Sequence, residues 1–356
     1  MTSEGHATAD VTASGSHGDT PALRRRAALQ GWPGVALAVG ISLGCVVVSL
    51  SLGPASLSVG QLWHHLLAGP ASRDPDSIIL WQIRMPRVVL AFVVGAALAV
   101  AGVILQDLFL NPLTDPYVTG VSSGAALGAT VAIVLGLASG IWLTGMAMIG
   151  GLLTLLLVWT AARRRGRIDV YVLLLAGITA SYLLSAVITV VMIHANDDLG
   201  AILYWLLGSF SGRTWTDVET ALIAVPFMAV PLFFTKEMNI LLQGEKRAME
   251  LGVDVERTKM VLVITAAILT AIAVSVSGII AFVGLIVPHV VRLLVGPSHR
   301  RLLPISLLMG AALLSVADLL ARTLVAPTEI PVGVVTTFIG APVFVYLLRR
   351  GRGRRA

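Results

Sequence analysis

Residues 88–110 read VVLAFVVGAALAVAGVILQDLFL, and this stretch decides the fold class. Its strongly polar residues are Gln106 and Asp107, which both lie close to its C-terminal end. A helix needs about 20 mostly apolar residues to cross roughly 30 Å of hydrocarbon. In lipid the backbone must satisfy its own hydrogen bonds, which favours a helix over an isolated strand. The stretch therefore predicts a transmembrane helix.

Scanning the rest of the chain on the same basis predicts ten spanning helices in all. They lie at about 34–53, 88–110, 118–138, 141–162, 170–193, 218–235, 258–276, 278–295, 302–325 and 331–348. The 278–295 segment is the weakest of these because it carries Pro288, His289 and Arg292. We expect these three residues to have a structural role. The alternative is a functional role, because ionisable groups inside a membrane are often functional.

Composition supports the same class. The chain of 356 residues is 56% hydrophobic and 12% charged, whereas about 25% of a soluble protein is charged. Its apolar content also excludes disorder as the dominant state. Cys45 is the one cysteine, which excludes a disulfide framework and a Cys-rich metal site. We expect an all-α polytopic membrane protein with no metal and no cofactor.

The distribution of basic residues predicts the orientation. With both termini in the cytoplasm, 20 of the 25 Lys and Arg fall on the cytoplasmic side, as the positive-inside rule requires. The net charge of +6 then reflects topology and contact with anionic lipid rather than nucleic-acid binding. Residues 1–31 are predicted to be a disordered basic tail, 32–350 the transmembrane domain and 351–356 a second basic tail.

The residues from about 238 to 257 form the most charged loop between predicted spans. We predict two short helices broken at Gly244 and Gly252, with Ala248, Leu251 and Val255 at helical spacing on a small apolar face. Such a face could dock into a groove on a soluble partner. A solvated loop that merely joins two spans is the equally weighted alternative.

Two further features have both structural and functional interpretations. Residues 111–116, NPLTDP, are typical of a rigid turn, either an ordinary connection or a gate at the cytoplasmic mouth. Outside, Arg84, Arg87 and Arg322 could be interfacial anchors, and Arg322 could pair with Asp318 at i,i+4. Alternatively, the three arginines are exposed and meet carboxylates of a soluble partner, for which a guanidinium is well suited.

Absent motifs exclude several activities. A P-loop places Lys before Ser or Thr so that it can hold phosphates, but the three lysines precede Glu237, Arg247 and Met260. The sequence likewise contains no nucleophile elbow and no paired catalytic carboxylates. Gly-Ala-Ala-Leu occurs at 95–98, 124–127 and 310–313 without a period, which indicates helix packing through small residues rather than a duplication.

Together these motifs resemble the FecCD-type permeases of ATP-binding cassette importers, in order over about residues 35–350. The matching motifs are Arg84-x-Pro86-Arg87, Gly95–Leu98 with Gly102 and Gln106, Asn111–Leu113 with Asp115-Pro116, Gly120–Ala125, Leu251–Val253, Phe282–His289 with Arg292, Asp318-x-x-x-Arg322, Pro331-x-Gly333 and Gly340–Pro342. The loop Arg163–Asp169 departs from the family pattern, because it is more basic and lacks small polar gate residues near Val170–Tyr171.

The resemblance implies ten spans per subunit and two permease subunits around a central path in the cell membrane of a bacterium. A homodimer is expected in preference to a heterodimer. The implied partners are two cytoplasmic ATPase chains and an external binding protein. The cargo would be a ferric siderophore, which leads on family frequency, with haem or cobalamin as alternatives.

The resemblance also implies roles for particular residues. Coupling to the ATPase would involve Glu245, Ala248, Leu251 and Gly252. Docking of the binding protein would involve Arg84, Arg87 and Arg322, and the cytoplasmic gate would involve Asn111 and Leu113.

Two other function classes compete with this hypothesis. An ion-coupled secondary transporter would need acids facing the path at mid-membrane, for which Asp318 is the candidate. A membrane enzyme would need a catalytic set, which the sequence does not contain in recognisable form. We therefore expect a transport subunit that works by alternating access and takes its energy from a separate ATPase.

Overall fold

A computed structural model describes residues 32–53, 58–164, 167–195 and 197–352. The α-helices in chain order are α1 (Trp32–Ser51), α2 (Val59–Ala68), α3 (Pro75–Ile78), α4 (Met85–Leu108), α5 (Val121–Val134), α6 (Gly140–Ala162), α7 (Val170–His194), α8 (Leu199–Leu206), α9 (Trp215–Leu222), α10 (Ala224–Phe233), α11 (Thr235–Leu241), α12 (Glu245–Glu250), α13 (Val255–Ser277), α14 (Val283–Val295), α15 (His299–Thr323) and α16 (Val332–Arg352).

Three short elements join these helices. A π-helical turn, Ile79–Arg84, connects α3 to α4 without a break, and a 3-10 turn, Pro116–Thr119, precedes α5. The two-residue strands β1 (Arg163–Arg164) and β2 (Arg167–Ile168) pair antiparallel between α6 and α7. We call the paired strands β1 and β2 the inner hairpin.

The all-α membrane fold is confirmed. Seven helical units of the described chain are long and apolar enough to cross a bilayer: α1, Pro75–Leu108, α6, α7, Trp215–Phe233, α13 and α15. The predicted spans 118–138, 278–295 and 331–348 correspond to shorter apolar helices, namely α5, α14 and the Val332–Leu347 part of α16. The count of ten spans therefore stays a prediction.

The predicted tails fall largely outside the described residues. This holds for residues 1–31 and for residues 353–356, whereas α16 itself continues to Arg352. The predicted domain boundaries are therefore not tested.

Helix α4 lies at the centre of the bundle, against α13, α14 and α15. In the most apolar window of the Pro75–Leu108 unit 89% of residues are buried, against 78% in α13 and 11% in α7. Helix α7 instead exposes large apolar side chains such as Leu175 and Leu183. An apolar surface of this kind suits lipid or a second membrane subunit, because water would penalise its exposure.

Glycines allow α4 to lie in the middle. A Cβ atom on Gly95 would overlap the carbonyl oxygen of Gly310 in α15, and one on Gly102 would overlap that of Gly284 in α14. A Cβ atom on Gly124 in α5 would likewise overlap the carbonyl oxygen of Gly150 in α6. The prediction that Gly-Ala-Ala-Leu marks helix packing is thus confirmed at all three occurrences, since small residues let backbones approach closely.

We predict that Gly102→Ala lowers the thermal unfolding midpoint of the protein in detergent. Overpacking a tight contact costs about 1–3 kcal/mol. Gly145→Ala in α6 is the matched control, because a Cβ there has no neighbour within 4 Å. Helix propensity alone makes Ala better than Gly by about 1 kcal/mol, so the control should be neutral or stabilising. Equal midpoints for the two variants in a fluorescence thermal-shift assay would contradict the close approach.

Candidate functional site

The three arginines expected on the outer surface are buried. Arg84 and Arg322 are each 4% exposed and Arg87 is 8% exposed. The expectation that they are exposed is therefore wrong. The physical reason is that a guanidinium at a helix end inside the bundle is stable only when protein acceptors replace water, and all three have such acceptors.

Arg87 joins three segments through two carboxylates. Its Nε lies 2.9 Å from Oδ1 of Asp318 on α15, and its Nη1 lies 2.9 Å from Oε1 of Glu329 in the α15–α16 loop. The side chain of Asp318 is 1% exposed, whereas that of Glu329 is 30% exposed. Asp318, the acid considered for an ion-coupled carrier, is thus held in an ion pair.

Arg84 and Arg322 bind the C-terminal end of α1. Arg84 Nη1 donates to the carbonyl oxygen of Leu50 at 2.8 Å, and Arg322 Nη2 donates to that of Ser49. The last carbonyls of a helix have no partner within the helix, so both side chains act as caps. Arg322 Nε also lies 3.7 Å from Asp318 Oδ2, which is the i,i+4 pair considered from the sequence.

The charged loop folds as its glycines predicted. Helices α11 and α12 are separated at Gly244, where φ is +102°, and the turn before α13 contains Gly252 at φ +80°. Asp254 caps α13 by accepting from the amide of Arg257 at 3.0 Å. A left-handed φ at both breaks explains why glycine occupies them.

The apolar face of this segment differs from the expectation. Ala248 and Val255 are buried, at 0% and 4% exposure, and pack against Leu241. Leu251 is 58% exposed, and Met249, which the sequence analysis missed, is 56% exposed. The prediction that these three residues form one exposed apolar face is therefore wrong. Ala248 and Val255 pack inward against α11, and the spacing of residues along one helix does not show which neighbouring helix they meet. Glu245 and Gly252 are exposed.

The NPLTDP turn is confirmed as a structured turn. Asn111 Oδ1 accepts from the amide of Leu113 at 3.0 Å, and Asp115 Oδ1 accepts from the amide of Tyr117 at 2.9 Å. Burial raises the pKa of the Asp115 carboxyl to about 6, against the opposing effect of amides that donate to it. Asn111 and Leu113 are exposed beside the end of α4.

A buried charge cluster missed by the sequence analysis lies at the C-terminal end of α4. Asp107 Oδ1 is 2.7 Å from Nη2 of Arg292 on α14, and its Oδ2 contacts Nε2 of His299 on α15. His299 Nδ1 lies 2.8 Å from Oδ1 of Asn239 on α11. Asp107 was noted only as a polar residue in an apolar stretch, and its partners Arg292 and His299 are at least 185 positions away in the chain. The ion pair with Asp107 gives Arg292 a structural role within the bundle.

Irregular backbone lines a cavity beside α16. Helix α13 ends at Ser277, and residues 278–282 are not helical before α14 begins, which shortens the predicted span 278–295. These residues, the end of α8 and the start of α16 surround a cavity of about 530 Å³, with Leu207, Ile279, Gly333 and Phe338 among its lining. Non-helical backbone at membrane depth is tolerated where it lines a cavity.

A second cavity of about 430 Å³ lies between α7, the NPLTDP turn and residues 281–285. Ser181 and Tyr182 of α7 line it together with Tyr117. The Tyr117 hydroxyl donates to the carbonyl of Ile280 at 2.7 Å and accepts from its amide at 2.9 Å. The broken segment is thereby fixed to the turn, and both cavities share Ala281.

A family model described as the FecCD transport family matches residues 41–350. The chain belongs to the FecCD transport family. The resemblance inferred from the motifs is confirmed, and this FecCD protein is a transport subunit of several apolar helices rather than an enzyme.

Curated relatives of this FecCD protein cover most of its length. The cobalamin import system permease protein BtuC of Halobacterium salinarum is 47% identical over 78% of this chain and 74% of its own. The hemin transport system permease protein HmuU of Yersinia pestis is 40% identical over 87% and 95%, respectively. The Fe(3+) dicitrate transport system permease protein FecD of Escherichia coli is 38% identical over 89% and 99%.

A solved structure supports the fold of the FecCD chain. It is an inward-facing conformation of an ABC transporter of the metal-chelate type, with a TM-score of 0.80 and 33% identity. The match covers 89% of this chain and 98% of the other.

We predict that Asp318→Asn destabilises this FecCD protein much more than Glu329→Gln, although both residues pair with Arg87. Removing one partner of a buried ion pair costs about 3–5 kcal/mol, whereas an exposed pair contributes about 1 kcal/mol or less. Glu329 is the partly exposed partner, so it serves as the matched control. Thermal midpoints in detergent measure the difference, and a larger loss for Glu329→Gln would reverse the assignment of the buried anchor.

Proposed function

We propose that the chain is the permease subunit of an ATP-driven, binding-protein-dependent importer for a metal chelate. The observation that carries this proposal is the match along residues 41–350 to a transport family whose curated members include permeases for cobalamin, hemin and Fe(3+) dicitrate. The chain has no P-loop, so its energy comes from separate ATPase chains, two per complex. Alternating access moves the cargo past the two cavities.

The ATPase docks at α12 and the turn that follows it. Exposed Met249 and Leu251 supply an apolar contact, Gly252 allows the tight turn, and Glu245 stands at the start of the helix. Ala248 supports this surface from inside by packing against α11. An amphipathic helix whose apolar side chains point outward suits a groove on a soluble partner.

We predict that Leu251→Glu weakens co-purification of the ATPase about tenfold or more, because burying an unpaired carboxylate in an apolar groove costs several kcal/mol. Leu67→Glu is the matched control, since Leu67 is 74% exposed on α2, at the opposite side in the predicted orientation. The control should retain the ATPase. Equal recovery of the ATPase with both variants would remove α12 as the docking element.

Arg84, Arg87 and Arg322 are buried supports of the surface that receives the external binding protein. Their burial makes them organisers of that surface: Arg87 fixes Glu329 on the α15–α16 loop, while Arg84 and Arg322 fix the end of α1. The partly exposed Glu329 and the loops so positioned make the direct contact. Arginine contact with the partner's carboxylates would require these internal bonds to exchange.

Two copies of this chain form the path. The open cavities and the exposed apolar face of α7 lie on surfaces that a second permease subunit or lipid can cover. Asn111 and Leu113 form the cytoplasmic gate, because their turn is fixed to the broken segment through Tyr117. A homodimer remains the preferred assembly.

The cargo is a ferric siderophore, haem or cobalamin. The frequency of siderophore transport in the family favours the first, and the relative at 47% identity favours the last. The two cavities have little charged lining, which suits a bulky chelate whose metal is already enclosed by its ligand.

We predict ATP-dependent uptake of one of three probes by the complete complex in proteoliposomes. The probes are cobalt-57 cyanocobalamin, an iron-55 hydroxamate siderophore and haem, each presented with the external binding protein. The control omits ATP. Uptake that persists without ATP and follows a proton or sodium gradient would instead support the ion-coupled class.

A further inference from the structure

A buried lysine connects the docking helix α12 to the inner hairpin. The Lys259 side chain is 4% exposed. Its Nζ lies 3.2 Å from Glu245 Oε1, 2.9 Å from Glu256 Oε1 and 3.0 Å from the carbonyl oxygen of Ile168. The ammonium group donates hydrogen bonds to Glu245 Oε1 and to the carbonyl oxygen of Ile168, and Glu256 adds a second ion pair.

The same cluster also binds the backbone N–H of Ile168 in the hairpin. Glu256 Oε2 accepts from the amide of Ile168 at 2.8 Å. Ile168 is therefore bound through its N–H by Glu256 and through its C=O by Lys259, both on α13. Ionised partners make such hydrogen bonds roughly twice as strong as neutral ones.

The hairpin leads directly into α7. Asp169 follows Ile168 and caps α7 by accepting from the amides of Tyr171 and Val172. Further along α7, Ser181 and Tyr182 line the 430 Å³ cavity next to the NPLTDP turn. A displacement of the hairpin thus reaches the cavity through one continuous helix.

We propose that Lys259 is a positioning residue that transmits the movement of α12 to α7. Glu245 belongs to the surface that meets the ATPase, and Ile168 belongs to the hairpin that starts α7, so the ammonium group is the shared contact between the two. This inference rests on the proposed ATPase coupling. It explains why a lysine is buried beside two carboxylates, since a buried charge is costly unless fully paired.

Hydrogen exchange on the assembled permease–ATPase complex tests the proposal. The complex is compared without nucleotide and after trapping with ADP and vanadate, and exchange is followed in α12 and in residues 167–175. In the wild type, trapping should change exchange in both segments. In Lys259→Met the change in α12 should persist, while that in residues 167–175 should shrink about fivefold or more, the scale of a typical allosteric coupling.

Two further variants separate transmission from simple stabilisation. Glu245→Ala removes the acceptor at the α12 end of the bridge, so the response of α12 to trapping should persist while that of residues 167–175 is lost. Lys236→Met is the matched control, because Lys236 is exposed on α11 outside the bridge, and it should respond like the wild type.

The outcomes distinguish the two proposals. Wild-type transmission that persists in both Lys259→Met and Glu245→Ala would overturn the role of Lys259. A wild-type complex in which α12 does not respond to trapping at all would instead overturn the proposed ATPase coupling.

Discussion

The close approach of α4 to its neighbours is the constraint on which the rest of the structure depends. Lipid provides no hydrophobic force between helices, so association relies on packing and on hydrogen bonds. At Gly95 and Gly102 the backbone of α4 meets the carbonyls of Gly310 and Gly284, with no room for a Cβ atom. This contact places α4 inside the bundle, where 89% of its most apolar window is buried.

Burial of α4 forces both of its ends to find protein partners. At the N-terminal end Arg87 pairs with Asp318 and Glu329, and at the C-terminal end Asp107 pairs with Arg292 and contacts His299. Each cluster joins helices that are distant in sequence. Charged groups that the sequence suggested were on the surface therefore hold neighbouring helices together, because a buried charge is stable only when it is paired. Their functional influence passes through the loops and helix ends that they hold.

The regions that break helical regularity lie beside the two cavities and in the charged loop. Residues 278–282 interrupt the run from α13 to α14, and Tyr117 ties this break to the NPLTDP turn. In the charged loop, glycines separate α11, α12 and α13. The buried Lys259 cluster lies between that segment and α7. Packed helices with a few such breaks can shift as units, as alternating access requires.

The sequence by itself determined the class, the family and the positions of most helices, because apolar length, basic asymmetry and glycine breaks are local properties. It also located the structured turn at Asn111 and the two-part helix around Gly244. Only the tertiary structure decided that Arg84, Arg87 and Arg322 are buried, that Ala248 and Val255 face inward, and that Asp107 and Lys259 are central contacts. The partners in these contacts lie between 3 and 273 positions apart in the chain. Burial and pairing are set by which helices meet, and a single helix's pattern does not contain that information.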